Sequence, residues 1–141
     1  MTYRTGMRNK NLQLLGGYLL AAVFAFATSS TFAADAVRGK KIFLRCAICH
    51  FAQQEANKIG PTLKNVLGRP AASVSQYHYS HAMSDAGKNG LVWTKDNLVK
   101  YLKNPSAMVK GTRMAAVNLT KEQDVEDLIA YLQSVADKKA P

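Results

Sequence analysis

Cysteine occurs only twice in the 141 residues, tryptophan once and proline four times, and nine acidic side chains stand against nineteen Lys and Arg, a formal charge of +10. With both cysteines inside one pentapeptide, no disulfide framework underlies the fold. No internal repeat or low-complexity linker divides the chain, and no stretch alternates apolar and polar residues convincingly enough for a strand. Helix is what remains, and the chain is expected to be all-α. Acid is missing altogether before Asp35.

What stands in and just beyond that acid-free stretch is ordered: Arg4, Arg8 and Lys10, then an apolar run from Leu14 to Ala27, then the small-residue stretch from Thr28 to Ala36. This is the pattern of a secretory signal. Thr31-Phe32-Ala33 offers small residues at both positions a signal peptidase reads, so cleavage is expected after Ala33, with Ala36 as the alternative. The competing reading is a retained membrane anchor, but Leu12 to Ala27 is shorter than the ~20 apolar residues of a spanning helix and is broken by Gly16 and Gly17. Residues 1–33 are thus read as a signal peptide and 34–141 as one domain, placed in the periplasm.

The remaining 108 residues suffice for one domain and not for two. A domain of that size buries only roughly 65% of its unfolded surface, so a large apolar cofactor would form a substantial part of its core. Without Arg4, Arg8 and Lys10 the charge of +10 becomes +7. Such a balance implies acidic partners or an anionic surface. Nucleic acid is excluded by export and by the lack of a basic-aromatic motif, and a membrane is met only through partners unless the N-terminal segment is retained.

Cys46-Ala47-Ile48-Cys49-His50 carries the chemistry. Residues three apart on a helical turn share a face, so both sulfurs can add to the vinyl groups on one porphyrin edge, with His50 beneath the iron. The motif occurs once, so one haem is expected. A redox-active Cys-x-x-Cys pair does not require the histidine, and a structural zinc site needs four ligands where three are present.

Three helices are expected. The first starts at Asp35 as N-cap, carries Ile42 and Phe43 inward and delivers Cys46; Gly39 within it implies close approach of another element. The second opens at Thr94, runs through Leu98, Val99, Tyr101 and Leu102, and stops at Asn104-Pro105. The third begins with a capping box of Thr120 and Gln123 and buries Val125, Leu128, Ile129, Leu132 and Val135. Gly60-Pro61-Thr62 starts a short turn or helix, Ser80 to Ala86 is a further short helix ending at Gly87, and Lys110 to Val117 is a loop holding Met114.

The order of landmarks, Gly39 with Phe43, the cysteine motif, Gly60-Pro61, Gly68-Arg69, Tyr79, Trp93, Tyr101, Asn104-Pro105, Gly111-Thr112-x-Met114, and Leu128 with Tyr131, resembles the class I cytochrome c family over essentially the whole exported part. The Tyr79 to Trp93 segment is similar to the longer bacterial members. The resemblance implies the class I fold, three main helices and short helical turns wrapped around one haem c bound covalently through Cys46 and Cys49. It implies His50 and Met114 as axial ligands, with the other His50 nitrogen donating to the carbonyl of Pro61. It places Arg69, Tyr79 and Trp93 around the propionates, Tyr101 against the methionine side of the iron, Thr112 among the haem-binding residues, and Gly39 and Phe43 across Leu128 and Tyr131. Trp93 and Tyr101 as plain core residues, and Arg69 as a surface arginine, stay open.

Two departures from the family stand out. The usual proline before Gly111 is Lys110, and the aromatic usual beyond the methionine is replaced by Ala115, Ala116 and Val117. The methionine side should open more easily. Arg45, Lys110, Arg113 and Lys121 are the basic residues expected to ring the exposed edge.

By this resemblance the chain is a one-electron carrier and not an enzyme, exchanging with acidic redox proteins such as an oxidase, a dehydrogenase or a cytochrome complex. A haem subunit of a larger oxidoreductase is the alternative. A haem peroxidase or gas-binding protein would need an acid or base beside an open position, where His78 and His81 are the spare imidazoles.

Overall fold

A computed structural model describes residues 33–115, 117 and 119–136. Five helices follow in order: α1 (Ala36–Phe43), α2 (His81–Lys88), α3 (Lys95–Lys103), α4 (Pro105–Met108) and α5 (Glu122–Ala136). Each short helix has a side-chain cap at its start. Asp35 accepts from the N–H groups of Val37 and Arg38, Ser80 from Met83, Thr94 from Asn97, and Asn104 from Ala107. These bonds satisfy N–H groups that have no partner within the helix.

Asn104 does double service. Its own N–H closes α3 on the carbonyl of Lys100, and its side chain opens α4, where Pro105 occupies the first helical position. The sequence expectation ended at this proline, so α4 is an addition. Proline there both stops one helix and starts the next, because its fixed φ suits a first turn while its ring disturbs the residue before it. The segment from Gly60 to Thr62 forms a turn without a helix, and α2 passes through Gly87 to Lys88.

The capping box expected at Thr120 needs correction. Gln123 does not reach back; its amide donates to the Asp127 carboxylate at 2.8 Å. A buried acceptor one turn ahead offers more to the amide than a solvated backbone N–H behind it.

α1 packs across α5. Val125, Leu128, Ile129, Leu132 and Val135 are all buried, as their spacing requires, and the Phe43 and Tyr131 rings meet at 5.3 Å. Gly39 makes the crossing possible: a Cβ there would lie 1.9 Å from the Asp127 carbonyl oxygen and 2.9 Å from Tyr131 Cβ. Asp127 itself is wholly buried. Its carboxylate accepts from the Asp35 N–H at 2.8 Å, from Gln123 and from the Arg38 guanidinium, which also meets Asp124 at 2.8 Å. Burial alone would raise the Asp127 carboxyl, but these hydrogen bonds and the Arg38 charge hold it below its ordinary value. α3 also packs on α5, with an ion pair from Lys95 to Glu126. Between the helices, Gly68 to Ala71 pairs antiparallel with Leu91 to Trp93, an isolated bridge that sets Arg69 next to Trp93.

Gly39→Ala should cost about 3 kcal/mol in chemical denaturation, because no rotamer can relieve a clash between Cβ and a helix backbone. For Asp127 the folded value is depressed, so its contribution is present above the unfolded value near pH 3.9 and disappears as pH falls through the folded value. Asp127→Asn should therefore lower the urea midpoint at pH 7, and the gap to the parent should narrow on acidification below about pH 4.

Candidate haem site

The winding of α1 does not stop at Phe43. Ala47 N–H donates to Phe43 O at 2.9 Å, Cys49 N–H to Cys46 O at 3.0 Å and His50 N–H to Cys46 O at 2.9 Å, so both cysteines sit on one helical turn. Both are free thiols, Cys46 buried and Cys49 half-buried. Burial pushes the Cys46 thiol up to about 11, with Cys49 adding and Arg45 opposing. A redox-active pair depends on the opposite shift toward thiolate. Nor are three or more His, Cys, Asp or Glu side chains gathered as a metal-binding group among the described residues.

His50 is fixed from two sides. Its Nδ1 donates to the carbonyl of Pro61 at 2.7 Å, as the resemblance implied, which leaves the lone pair on Nε2. Below the ring lies Gly60, where a Cβ would come within 2.3 Å of Cε1, and the Gly60 N–H donates back to Cys49 O at 2.8 Å. Burial lowers the imidazole's pKa, the Pro61 bond pulls it up, and nearby Lys58 adds to the lowering. The net direction keeps the ring neutral and able to ligate.

The Pro61 loop is itself held by side chains that the sequence did not single out. Asn57 accepts from the Thr62 N–H at 3.0 Å, Thr62 Oγ1 donates to Gln54 O at 2.6 Å, and Lys58 donates to Ala47 O at 2.6 Å while lying over the Phe51 ring. Arg69 joins them. Its guanidinium donates to Lys64 O at 2.7 Å and Thr62 O at 2.8 Å, so this half-buried arginine supports the loop that carries Pro61. Burial pulls its pKa down and nearby Tyr79 opposes that shift.

A second group of expected residues assembles around α3. Trp93 is buried with its ring 4.9 Å from that of Tyr101. The Tyr101 hydroxyl and Thr112 Oγ1 are 2.7 Å apart, and Thr112 Oγ1 accepts from the Met114 N–H at 3.3 Å. Burial pushes the Tyr101 hydroxyl up, with Thr112 opposing, which keeps it protonated. Met114 is half-buried against the core, in a loop after α4 as expected. Tyr79 lies edge-on to Tyr77 and accepts from the Val74 N–H at 3.3 Å.

Two thiols on one turn, a neutral imidazole whose free nitrogen is set by Pro61, and a glycine that admits no side chain beneath the ring fit a covalently attached haem. All four of the basic set are exposed, and Arg45 and Arg113 each also donate to a backbone carbonyl, those of Val117 and His78. Asp127 also escaped the sequence reading, although an acid beside Leu128 on an apolar helix face was its signal.

Residues 36–136 match the family model described as cytochrome c. Among curated relatives, the chain is 44% identical over 97 residues to a cytochrome c2 of Afifella marina, covering 68% of this chain and 78% of that one. It is 40% identical over 106 residues to a cytochrome c2 of Agrobacterium tumefaciens, covering 74% and 96%. Among solved structures, cytochrome cH from Methylobacterium extorquens superposes with a TM-score of 0.65 at 37% identity, over 72% of this chain and 99% of that one. Cytochrome c2 from Rhodospirillum centenum gives 0.69 at 31% identity, over 72% and 98%. The matched residues 36–136 include the cysteine turn, the Pro61 loop and the Met114 loop, and on that ground the chain belongs to the cytochrome c family, with the class I fold and one covalent haem c.

Proposed function

We propose that this chain is a periplasmic one-electron carrier whose haem c is joined to Cys46 and Cys49 and ligated by His50 and Met114. The observation that carries the reading is the His50 imidazole, pinned to Pro61 over Gly60 on the same turn as two free thiols. Haem held by these residues would supply a one-electron couple, and a soft, neutral thioether from Met114 together with the His50 imidazole would raise its potential. The protein's own part is to hold both ligands still. Pro61 fixes the tautomer and ring plane of His50, and Arg69, Asn57 and Lys58 fix the Pro61 loop. On the other side Tyr101 holds Thr112, which holds the Met114 backbone. With both ligands supplied by the protein, the iron would keep no position for a substrate, and His78 and His81 are exposed, which speaks against a peroxidase role.

The leader lies outside the described residues. Asp35 nevertheless bears on its removal, since it caps α1 and its N–H meets the buried Asp127. A cut after Ala36 would discard both bonds, so cleavage after Ala33 is the reading retained. Among the described residues no helix is long and apolar enough to cross a membrane.

A permanently docked haem subunit is the second reading. Leu44, Ile48 and Ile59 are exposed on and beside the cysteine turn, Ile48 and Ile59 at 74% and 76%. Exposed aliphatics ringed by Lys58 and Arg45 suit the apolar centre of a protein contact, transient or lasting.

Acidified organic solvent should leave the pigment on the denatured polypeptide. Met114→Ala should abolish the weak long-wavelength methionine-to-iron band of the ferric protein and admit carbon monoxide to the ferrous one, while Met83→Ala and Met108→Ala keep the band. Loss of the band in one of the latter instead would overturn the ligand assignment. With an acidic redox partner, the bimolecular rate should fall roughly tenfold between millimolar and 0.15 M salt, as screening shortens the reach of exposed charge. A rate indifferent to salt would favour the docked subunit.

A further inference from the structure

α1 is apolar on two sides. The inner side is its packing face, where Gly39 and Phe43 are buried against α5 and Cys46 is buried beyond them. The outer side is uncovered. Val37 and Leu44 are 72% and 67% exposed and stand seven residues apart, two helical turns, so they share one line on the surface. Ile48 is exposed in the turn that continues α1, and the three aliphatics extend over roughly 16 Å. Single exposed aliphatics are ordinary, but here three fall on one short helical run.

The charges beside this line are of one sign. Lys40, Lys41 and Arg45 are exposed there, and Lys40 and Lys41 enter no ion pair among the described residues. The carboxylates nearest α1 are already engaged, Asp124 and Asp127 by Arg38 and Asp35 as the N-cap. Two lysines in a last turn suit the helix dipole, which accounts for their charge and not for the aliphatics beside them.

Protein and lipid compete to cover such a stripe, and its composition favours lipid. Protein contacts are rich in aromatic side chains, Met and Arg and poor in Lys. Along this stripe stand no aromatic and no methionine, and its unpaired cations are lysines. Aliphatics flanked by lysines, whose stems follow apolar surface while the ammonium groups reach outward, mark a helix lying in a bilayer interface. Anionic headgroups supply the countercharge that the protein does not.

We propose that the outer face of α1 is a membrane-surface site, where Val37, Leu44 and Ile48 enter the headgroup region of an anionic bilayer and Lys40 and Lys41 meet its phosphates. The association is peripheral and reversible, as suits a few side chains on a chain in which no described helix is long enough to span. Because α1 winds into the cysteine turn, lying on the bilayer also holds that turn close to the surface. The site does not depend on which residues ligate the iron.

The test is co-sedimentation of the exported holoprotein with vesicles of phosphatidylcholine, alone or with about one third phosphatidylglycerol, at about 0.1 M salt. The protein should bind the mixed vesicles and not the neutral ones. Lys40→Gln/Lys41→Gln should weaken binding about 20-fold, whereas Lys88→Gln/Lys100→Gln, with the same loss of charge elsewhere, stays within about threefold of the parent. Val37→Ser/Leu44→Ser should weaken it about tenfold at unchanged charge, whereas Ile59→Ser, exposed but off the helix, binds like the parent. Equal effects of the two lysine pairs would reduce the contact to net charge, and full binding by Val37→Ser/Leu44→Ser would remove the aliphatics from it; either result overturns the site. So does a parental dimer that Leu44→Ser dissociates, which gives the stripe to a second copy. Variants that keep vesicle binding but lose affinity for an acidic redox protein give it to a protein partner and overturn it as well.

Discussion

The crossing of α1 over α5 is the constraint from which the site follows. Gly39 lets the two helices touch at the backbone, and Asp127, wholly buried in α5, takes the Asp35 N–H, Gln123 and Arg38 at the same place. A buried carboxylate without those donors would be costly, so the crossing is held to one register and one angle. α1 winds on without a break into the turn of Cys46, Cys49 and His50. The register of α1 on α5 therefore sets where both thiols and the imidazole point.

From that turn the site is built by loops braced by side chains. The Pro61 loop returns to His50 through Gly60 and is held by Asn57, Thr62, Lys58 and Arg69. The Met114 loop is held by Tyr101 through Thr112 and from outside by Arg45 and Arg113. The two loops differ in kind. Around Pro61 the ties are several and partly buried; around Met114 the outer ones are exposed.

Much of this was legible in the residues. The cysteine motif, the capping residues Asp35, Ser80 and Thr94, the proline stop at Pro105 and the buried stripe of α5 are local patterns, written within one or two helical turns. Gly39 also signalled a close approach, since a helix interior otherwise disfavours glycine. Where local pattern misled, a competing buried partner was the cause. Gln123 matched a capping box but bonds Asp127, one turn further along the same helix, where the packing of α1 on α5 buries the carboxylate.

The sequence by itself determined the cofactor chemistry, because two thiols and a histidine within five residues need only one helical turn to act together. It also determined the helical class, since hydrophobic spacing and caps act over short distances. Only the tertiary structure decided which polar groups meet across the chain: Arg38 with Asp127, Arg45 with Val117, Arg113 with His78, and Tyr101 with Thr112. Each of these joins separate elements or loops, and a hydrogen bond depends on the final placement of both, to within a few tenths of an ångström.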